Sequence, residues 1–371
     1  ETPAVGIEDA VRVLRSASRP AIVAGDGVGR AAALGELTEV AERLGAAVFQ
    51  QPMFDRIDFP LTHQQYLGML APDNAAIRKA LDGYDVIFLA GARAFAPHHY
   101  SPGAALPPHA VVVQLDDDTS ELGRNYPAQV TLWGAIRPTL RLLADALGGD
   151  VPQAERLVAI SSEARRRREA AAQSWSAIPV AAPLEPRLAA VTFAAALPAG
   201  AILVEEAITL GLLVREALAG IDSSSFHHTV GGGLGWGLGA AAGVAMGSPG
   251  RRVFAALGDG SALFGVHGLW IAARYGLPVT AVVFANGEYR TLKQTLTHMQ
   301  LPGAMNRQFV GLDLDQPRLS WPDIARAFGV DGIRVESDAE LRAALRSRTP
   351  EDAPLLVEVG VRSFADDELE P

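Results

Sequence analysis

One stretch, residues 253–293 (VFAALGDGSALFGVHGLWIAARYGLPVTAVVFANGEYRTLK), constrains the fold more than any other. It holds an apolar run ending in Gly258-Asp259-Gly260-Ser261, then a helical pattern, a second apolar run, and Asn286-Gly287. Short apolar runs closed by glycine turns read as buried strands, so the order is strand, helix, strand. Asp259 and Asn286 stand 27 positions apart, each just past a strand end. Parallel pairing of the two strands brings both residues to one edge of a sheet, where open α/β sheets bind their ligands.

The same alternation extends through the chain. Strands are expected at 20–24, 47–50, 85–90, 110–115 and 129–132, with helices over 7–17, 31–44, 75–81 and 136–147. Strands at 201–205, 333–335 and 355–359 flank the central stretch, with helices over 188–197, 210–218, 321–328 and 339–345. A small-residue helix opens on the glycine run 231–239, and 294–319 is a polar excursion. The fold class is therefore α/β, two doubly wound parallel-sheet domains over 1–148 and 186–371. Between them, 149–185 reads as a linker, a long charged helix followed by the proline-dense segment 178–187, which can continue neither a helix nor a sheet interior. Gly25-Asp26-Gly27-Val28-Gly29 has the form of a nucleotide-binding turn, but its spacing is G-x-G-x-G, and a tight strand-to-helix corner is the plainer reading.

Composition removes several function classes. A chain of 371 residues, 49% of them hydrophobic, suits two packed cores. The net charge of −10 argues against a nucleic-acid partner, and the Arg165–Arg168 run beside Glu163 and Glu169 reads as a solvated helix face. With no Cys there is no disulfide, thiolate metal site or Cys nucleophile, which agrees with a reducing cytoplasm. No apolar run approaches the ~20 residues that span a bilayer, and the first residues lack a signal-peptide pattern, so no membrane partner is expected.

The chemistry of Gly258-Asp259-Gly260-Ser261 follows from residue types. Glycines on both sides of Asp259 allow a sharp turn and a close ligand, and Ser261 stands where a helix begins, with free N–H groups that attract phosphate. Asp259 cannot usefully meet a phosphate directly; it needs a cation between them. Asp259, the amide oxygen of Asn286 and the main-chain carbonyl of Glu288 form a hard all-oxygen set of the kind Mg²⁺ takes. The plain alternative is two turn residues closing strand-to-helix corners. The matching positions of Gly-Asp-Gly-Ser and Asn-Gly favour the metal.

GDGS, the spacing to Asn286, and ANGEY together resemble the cofactor motif of thiamine-diphosphate-dependent decarboxylases and carboligases, benzoylformate decarboxylase-like within that family. The resemblance covers nearly the whole chain, with 1–148 as the middle domain and 186–371 as the diphosphate-binding domain. It implies thiamine diphosphate and Mg²⁺ as cofactors, with Asp259, Asn286 and the Glu288 carbonyl holding the metal. Gly258, Gly260 and Ser261 would approach the diphosphate, and Gly287 and Tyr289 would line the same end. In the glycine turn 231–235, the Gly232 carbonyl would receive the aminopyrimidine and Leu234 would prop the cofactor in its bent form. The substrate would be a small 2-keto acid or aldehyde. His98, in FAPHHY, takes the place of an active-site histidine, and His227 and His228 are further candidates to face the substrate.

Departures from the family accompany these matches. Ala285 stands where the family has a first Asn, and Thr291 and Thr295 replace small and aromatic side chains, which weakens the case for an aryl substrate. The family begins with a pyrimidine-binding domain that supplies an activating glutamate, and this chain begins at the middle domain. The resemblance therefore implies that a longer chain or a separate subunit supplies that domain, within a homodimer or tetramer. The alternative function is a non-catalytic thiamine-fold protein that binds the cofactor or a partner. His267, inside a predicted helix, is expected to pack.

Overall fold

The computed structural model describes residues 2–95, 101–149, 154–221, 224–229 and 231–363. These form two compact units, the first running to Ala172 and the second from Gln173.

In the first unit the strands are β1 (Pro20–Ala24), β2 (Ala47–Gln50), β3 (Tyr66–Met69), β4 (Val86–Ala90), β5 (Val111–Asp116) and β6 (Val130–Trp133). The helices are α1 (Ile7–Ser16), α2 (Asp26–Arg30), α3 (Leu34–Leu44), α4 (Asn74–Leu81), α5 (Ile136–Leu147) and α6 (Ala154–Ser176). The sheet is parallel, in the order β3-β2-β1-β4-β5-β6. Alternate residues of each strand face opposite layers and both layers are covered, which is why the strands read as unbroken apolar runs. Ile22, Val48, Phe88 and Leu115 pack under α1, α3 and α5, whereas Val23, Phe49, Ile87 and Leu89 pack with Ile77 of α4 and Ala164 of α6.

Two local differences from the sequence reading have physical causes. β3 was not expected; it is a short edge strand containing Gly68, and only Leu67 of its four residues is buried, so it carries no clear alternation. The glycines 25–29 do not form an open turn, because Gly27 and Gly29 lie within α2. A Cβ on Gly25 would stand 2.5 Å from the Gly91 carbonyl oxygen, and one on Gly27 would stand 2.9 Å from Gly91 Cα. Backbone therefore packs directly on backbone at this corner, in the manner of the tight strand-to-helix corner. α6, read above as part of the linker, lies against the first unit, with Arg167 Nη1 donating to the Leu67 carbonyl at 3.1 Å.

The second unit contains β7 (Ile202–Glu206), β8 (Phe226–His228), β9 (Val253–Gly258), β10 (Val279–Ala285), β11 (Asp331–Val335) and β12 (Leu355–Gly360). Its helices are α7 (Pro186–Ala196), α8 (Thr209–Ala217), α9 (Trp236–Gly247), α10 (Asp259–Phe264), α11 (Gly268–Tyr275), α12 (Arg290–His298), α13 (Pro302–Met305), α14 (Trp321–Ala327) and α15 (Asp338–Arg346). This sheet is also parallel, in the order β11-β12-β10-β9-β7-β8. Ile202, Val204, Ala255, Leu257 and Val283 pack with α9, α11 and α14, and Phe284 on the other face meets Phe193 of α7 edge-on, with ring centroids 5.7 Å apart. Strand order reverses between β7 and β9, so the carboxyl ends of those strands border the switch-point crevice. The helical pattern between β9 and β10 is broken in two at 265–267, and His267 is exposed at the start of α11 instead of packing.

Candidate active site

The expected strand pairing holds. β9 and β10 run parallel, Val253 opposite Val279 and Gly258 opposite Phe284, which sets Asp259 and Asn286 side by side past the strand ends. Asp259 opens α10 and is 4% exposed. Its Oδ1 accepts from the Gly260 N–H at 2.8 Å and its Oδ2 accepts from the Gly287 N–H at 2.7 Å. Burial pushes its carboxyl up to about 6, against the pull of those amides. Among the described residues Asp259 has no Lys, Arg or His as a partner. Asn286 Oδ1 accepts from the Glu288 N–H at 3.0 Å, which turns the chain back on itself at this corner.

The loop that follows is pinned from outside. Gly287 O accepts from Leu314 N at 2.7 Å, and Tyr289 N donates to Leu312 O at 2.9 Å, so 287–289 runs antiparallel to 312–314. A Cβ on Gly260 would stand 2.5 Å from Tyr289 Cε1, so the tyrosine ring lies directly on the first turn of α10. The Glu288 side chain turns inward, and Lys293 Nζ donates to its Oε2 at 2.6 Å and also to Asp313. Those two carboxylates hold the Lys293 ammonium pKa up although burial opposes it.

The glycine run approaches the same edge through Glu206, the last residue of β7. Glu206 Oε1 accepts from the N–H groups of Gly235 and Trp236, at 2.7 and 3.1 Å, and Oε2 accepts from that of Gly237 at 2.8 Å. A single carboxylate thus caps the otherwise unsatisfied start of α9. Gly232 and Gly233 have open space where a Cβ would stand, and Gly232 adopts φ +69°. Leu234 stands beside them, 37% exposed. Thr209 and Thr291 meet through their hydroxyls, and Thr295 Oγ1 donates to the Thr291 carbonyl at 2.8 Å.

Beneath this edge lies a second polar group that the sequence pointed to only as strand-end carboxylates and histidines. Glu205 Oε2 is 2.9 Å from Arg215 Nη2 and 3.2 Å from His228 Nδ1, all three side chains being almost fully buried. Burial alone would raise the Glu205 carboxyl, but the Arg215 guanidinium, His228 and the Ala207 N–H together outweigh it and hold the group down at about 2. Glu205 and His228 are therefore held within the sheet, whereas His227 is half-buried on the opposite side of β8.

The structure thus brings together Gly258, Asp259, Gly260 and Ser261 with Asn286, Gly287, Glu288 and Tyr289, and places Gly232 and Leu234 on the segment tied to Glu206. His98 lies outside the described residues. Lys293 and Arg215 were missed; the available signal was a basic residue set among apolar and hydroxyl side chains in each of two helices, TLGLLVREA and RTLKQTLTH. A cavity of about 220 Å³ adjoins Asp259 and Asn286 and is bordered also by Arg318, Arg334 and Glu358. No group of three or more His, Cys, Asp or Glu side chains among the described residues is placed to hold a metal, so a cation here would rest on one carboxylate with amide and main-chain oxygens.

Comparison with known proteins decides the family. The thiamine pyrophosphate enzyme central domain matches residues 7–143, and the family's C-terminal TPP binding domain matches 217–359. The chain belongs to the thiamine pyrophosphate enzyme family. Benzoylformate decarboxylase of Pseudomonas aeruginosa is 33% identical over 98% of this chain and 64% of its own length. Sulfoacetaldehyde acetyltransferase of Alcaligenes xylosoxydans is 28% identical over 92% of this chain and 59% of its own. Among solved structures, the thiamine diphosphate-dependent 4-hydroxybenzoylformate decarboxylase of Rhodococcus jostii superposes with a TM-score of 0.84 at 29% identity, covering 98% of this chain and 65% of that one. This thiamine pyrophosphate enzyme chain therefore spans less than two thirds of the length of these relatives, and its two parallel sheets have the family's fold.

Proposed function

We propose that the chain forms the diphosphate- and Mg²⁺-holding part of a thiamine-diphosphate-dependent enzyme that decarboxylates a 2-keto acid or joins the resulting aldehyde unit to a second carbonyl. One observation carries this reading. Asp259 is a buried carboxylate with no cationic side chain beside it among the described residues, at a strand end where Asn286 presents an amide oxygen. A buried charge needs a partner, and a hard divalent cation supplies one. The donor set fits Mg²⁺, which would be held by Asp259 and Asn286 together with the Glu288 carbonyl and would take phosphate oxygens as further ligands.

Each group then has a task that its position suits. Gly258, Gly260 and Ser261 present the first turn of α10, whose N–H groups attract the diphosphate. Gly287 and Tyr289 close the same end, held in place by the antiparallel pairing with 312–314. The open space at Gly232 leaves its backbone accessible to the aminopyrimidine, and the exposed Leu234 side chain gives the cofactor an apolar rest. Bound thiamine diphosphate supplies an electron sink that lets a 2-keto acid lose CO₂. His98 is assigned the proton transfer to and from the reacting substrate carbon.

A protein partner belongs to the same reading. Phe264, Trp270, Met299, Met305 and Val310 of the second unit each keep more than half of their surface exposed. Large apolar side chains left in solvent in such numbers mark an interaction surface. A pyrimidine-binding domain, from a longer chain or separate subunit, and a second copy of this chain are its proposed occupants. No described helix is long and apolar enough to cross a membrane. A cytoplasmic location is proposed from the absence of Cys.

Calorimetric titration of the chain with thiamine diphosphate tests the site. Binding is expected with Mg²⁺ and not in EDTA, and Asp259→Ala is expected to abolish it while keeping the circular dichroism spectrum of the parent. Metal-independent binding, or unchanged binding by that variant, overturns the assignment. CO₂ release from benzoylformate by the chain combined with a pyrimidine-binding partner separates a decarboxylase from a cofactor-binding protein that turns nothing over.

A further inference from the structure

The Arg165–Arg168 run has a use that the thiamine site does not account for. Arg166 and Arg167 are exposed, with 66% and 47% of their side-chain surface in solvent, and both also edge a concavity. They border a cavity of about 430 Å³ in the first unit, together with Arg156 from the same helix and with Arg19 and Tyr84 from the opposite wall. The cavity lies at the amino ends of β1 and β4, since Arg19 immediately precedes β1 and Tyr84 precedes β4. Leu67, Ala80 and Ile160 complete an apolar floor. Its volume is in the range of small-molecule sites, roughly 300–1,000 Å³.

Charge is what distinguishes this cavity. Four guanidinium groups line it against a single carboxylate, Glu163. Glu163 is already engaged by two of them, accepting from Arg166 Nη2 at 2.6 Å and Arg167 Nε at 2.8 Å. Those bonds hold its carboxyl below the usual range despite some burial, so it stays ionised and satisfied. Arg19 and Arg156 have no carboxylate within ion-pair distance among the described residues. Arg156 Nη1 donates to the Leu44 carbonyl at 3.1 Å, and the Arg19 guanidinium lies 5.6 Å from the Tyr84 ring centroid. Arg167 is tethered to the Leu67 carbonyl and lies 5.9 Å from the Phe49 ring centroid. Arg19 and Arg156 are thus oriented by an aromatic ring and a carbonyl without being neutralised, whereas Arg166 and Arg167 share the one carboxylate, Glu163. The pairing of Arg166 and Arg167 with Glu163 is of the kind a solvated helix face makes; Arg19 and Arg156, unpaired with any carboxylate among the described residues, are what sets the cavity apart. Here cationic forks converge from two sides on one concave surface, in a chain whose net charge is −10.

We propose that this cavity binds the phosphate or diphosphate group of a small organic phosphate, with the apolar floor under the organic part. Guanidinium forks match phosphate oxygens in pairs, and their rigid anchoring lowers the ordering cost of binding. The site is separate from the Asp259 edge, which belongs to the other unit and to the carboxyl ends of its strands. It also needs no metal, because the protein itself supplies the positive charge.

Inorganic pyrophosphate is a sufficient probe. It is titrated calorimetrically into the full chain at low ionic strength in EDTA, conditions in which the Mg²⁺-dependent site is silent. Saturable binding at one site per chain is expected. Arg156→Ala combined with Arg19→Ala is expected to weaken it by roughly tenfold or more, the scale of one lost charge-assisted hydrogen bond. Asp259→Ala is expected to leave it unchanged. Hydrogen exchange on the unmodified chain removes any dependence on the folding of variants: pyrophosphate should slow exchange over 156–167 and not over 258–261. No saturable binding, binding unaffected by the paired substitution, or protection confined to 258–261 overturns the proposal.

Discussion

Glu205 and Asp259 are two buried carboxylates at neighbouring strand ends of one sheet, and their surroundings drive them in opposite directions. Against the pull of burial, Arg215 at 2.9 Å together with His228 and the Ala207 N–H holds Glu205 down at about 2, whereas burial pushes Asp259, whose partners among the described residues are amides, up to about 6. Since the folded-state value of Glu205 lies below its ordinary 4.5, its contribution to stability is complete above pH 4.5 and is lost as pH falls toward about 2. Glu205→Gln keeps the shape but removes the buried negative charge that faces Arg215 and His228, a loss of the kind that costs about 3–5 kcal/mol. Urea unfolding at neutral pH should register that loss. Over the acid range the gap between the parent and the variant should narrow, and a gap that widens on acidification would contradict the pairing. Of the residues at this edge, Asp259 and Asn286 were legible from their spacing alone. The partnership of Glu205 with Arg215 and His228 was not, because it joins β7, α8 and β8 through contacts that have no periodicity in the chain.

Among the elements, those with strong local signals were placed correctly and those defined by their neighbours were not. α15 illustrates the first kind. Ser337 caps it, its hydroxyl accepting from the Glu340 N–H at 3.2 Å, while Glu340 Oε2 accepts from Glu336 N at 2.8 Å. Ser337→Ala is therefore expected to lower stability by about 0.5–2 kcal/mol, measurable as a shift in the urea midpoint at constant slope. β3 and α6 illustrate the second kind. β3 is a strand because β2 offers an edge to pair with, and α6 belongs to the first unit because Ala164 and Arg167 find partners there. The split between α10 and α11 also has a tertiary cause. A Cβ on Gly265 would stand 2.3 Å from the Gly235 carbonyl oxygen, so the glycine run before α9 occupies the space a continuous helix would need for its side chains.

At the scale of the whole molecule, each unit has its own six-stranded sheet and its own core. Domains of this kind unfold as units, and a chain that contains two need not follow a single two-state transition. Thermal unfolding followed by calorimetry is expected to resolve two transitions. Thiamine diphosphate with Mg²⁺ should raise only the one belonging to the second unit, by mass action on its folded form. A single transition, or an equal shift of both, would show that the units do not unfold independently. Pyrophosphate in EDTA should raise the other transition, which places the two proposed anion sites in different cooperative units.

By itself the sequence determined the parallel α/β class, the two-domain plan and the edge on which Asp259 and Asn286 meet. These depend on the order of apolar runs and on glycine turns, and such local information survives without coordinates. Only the tertiary structure decided which charges are paired. It joined Glu205 to Arg215, tied Lys293 to Glu288, gave Asp259 no cationic side chain among the described residues, and set part of an arginine run at the edge of a cavity. Ion pairing depends on distances between residues far apart in the chain, and no spacing rule within one strand or helix encodes those distances.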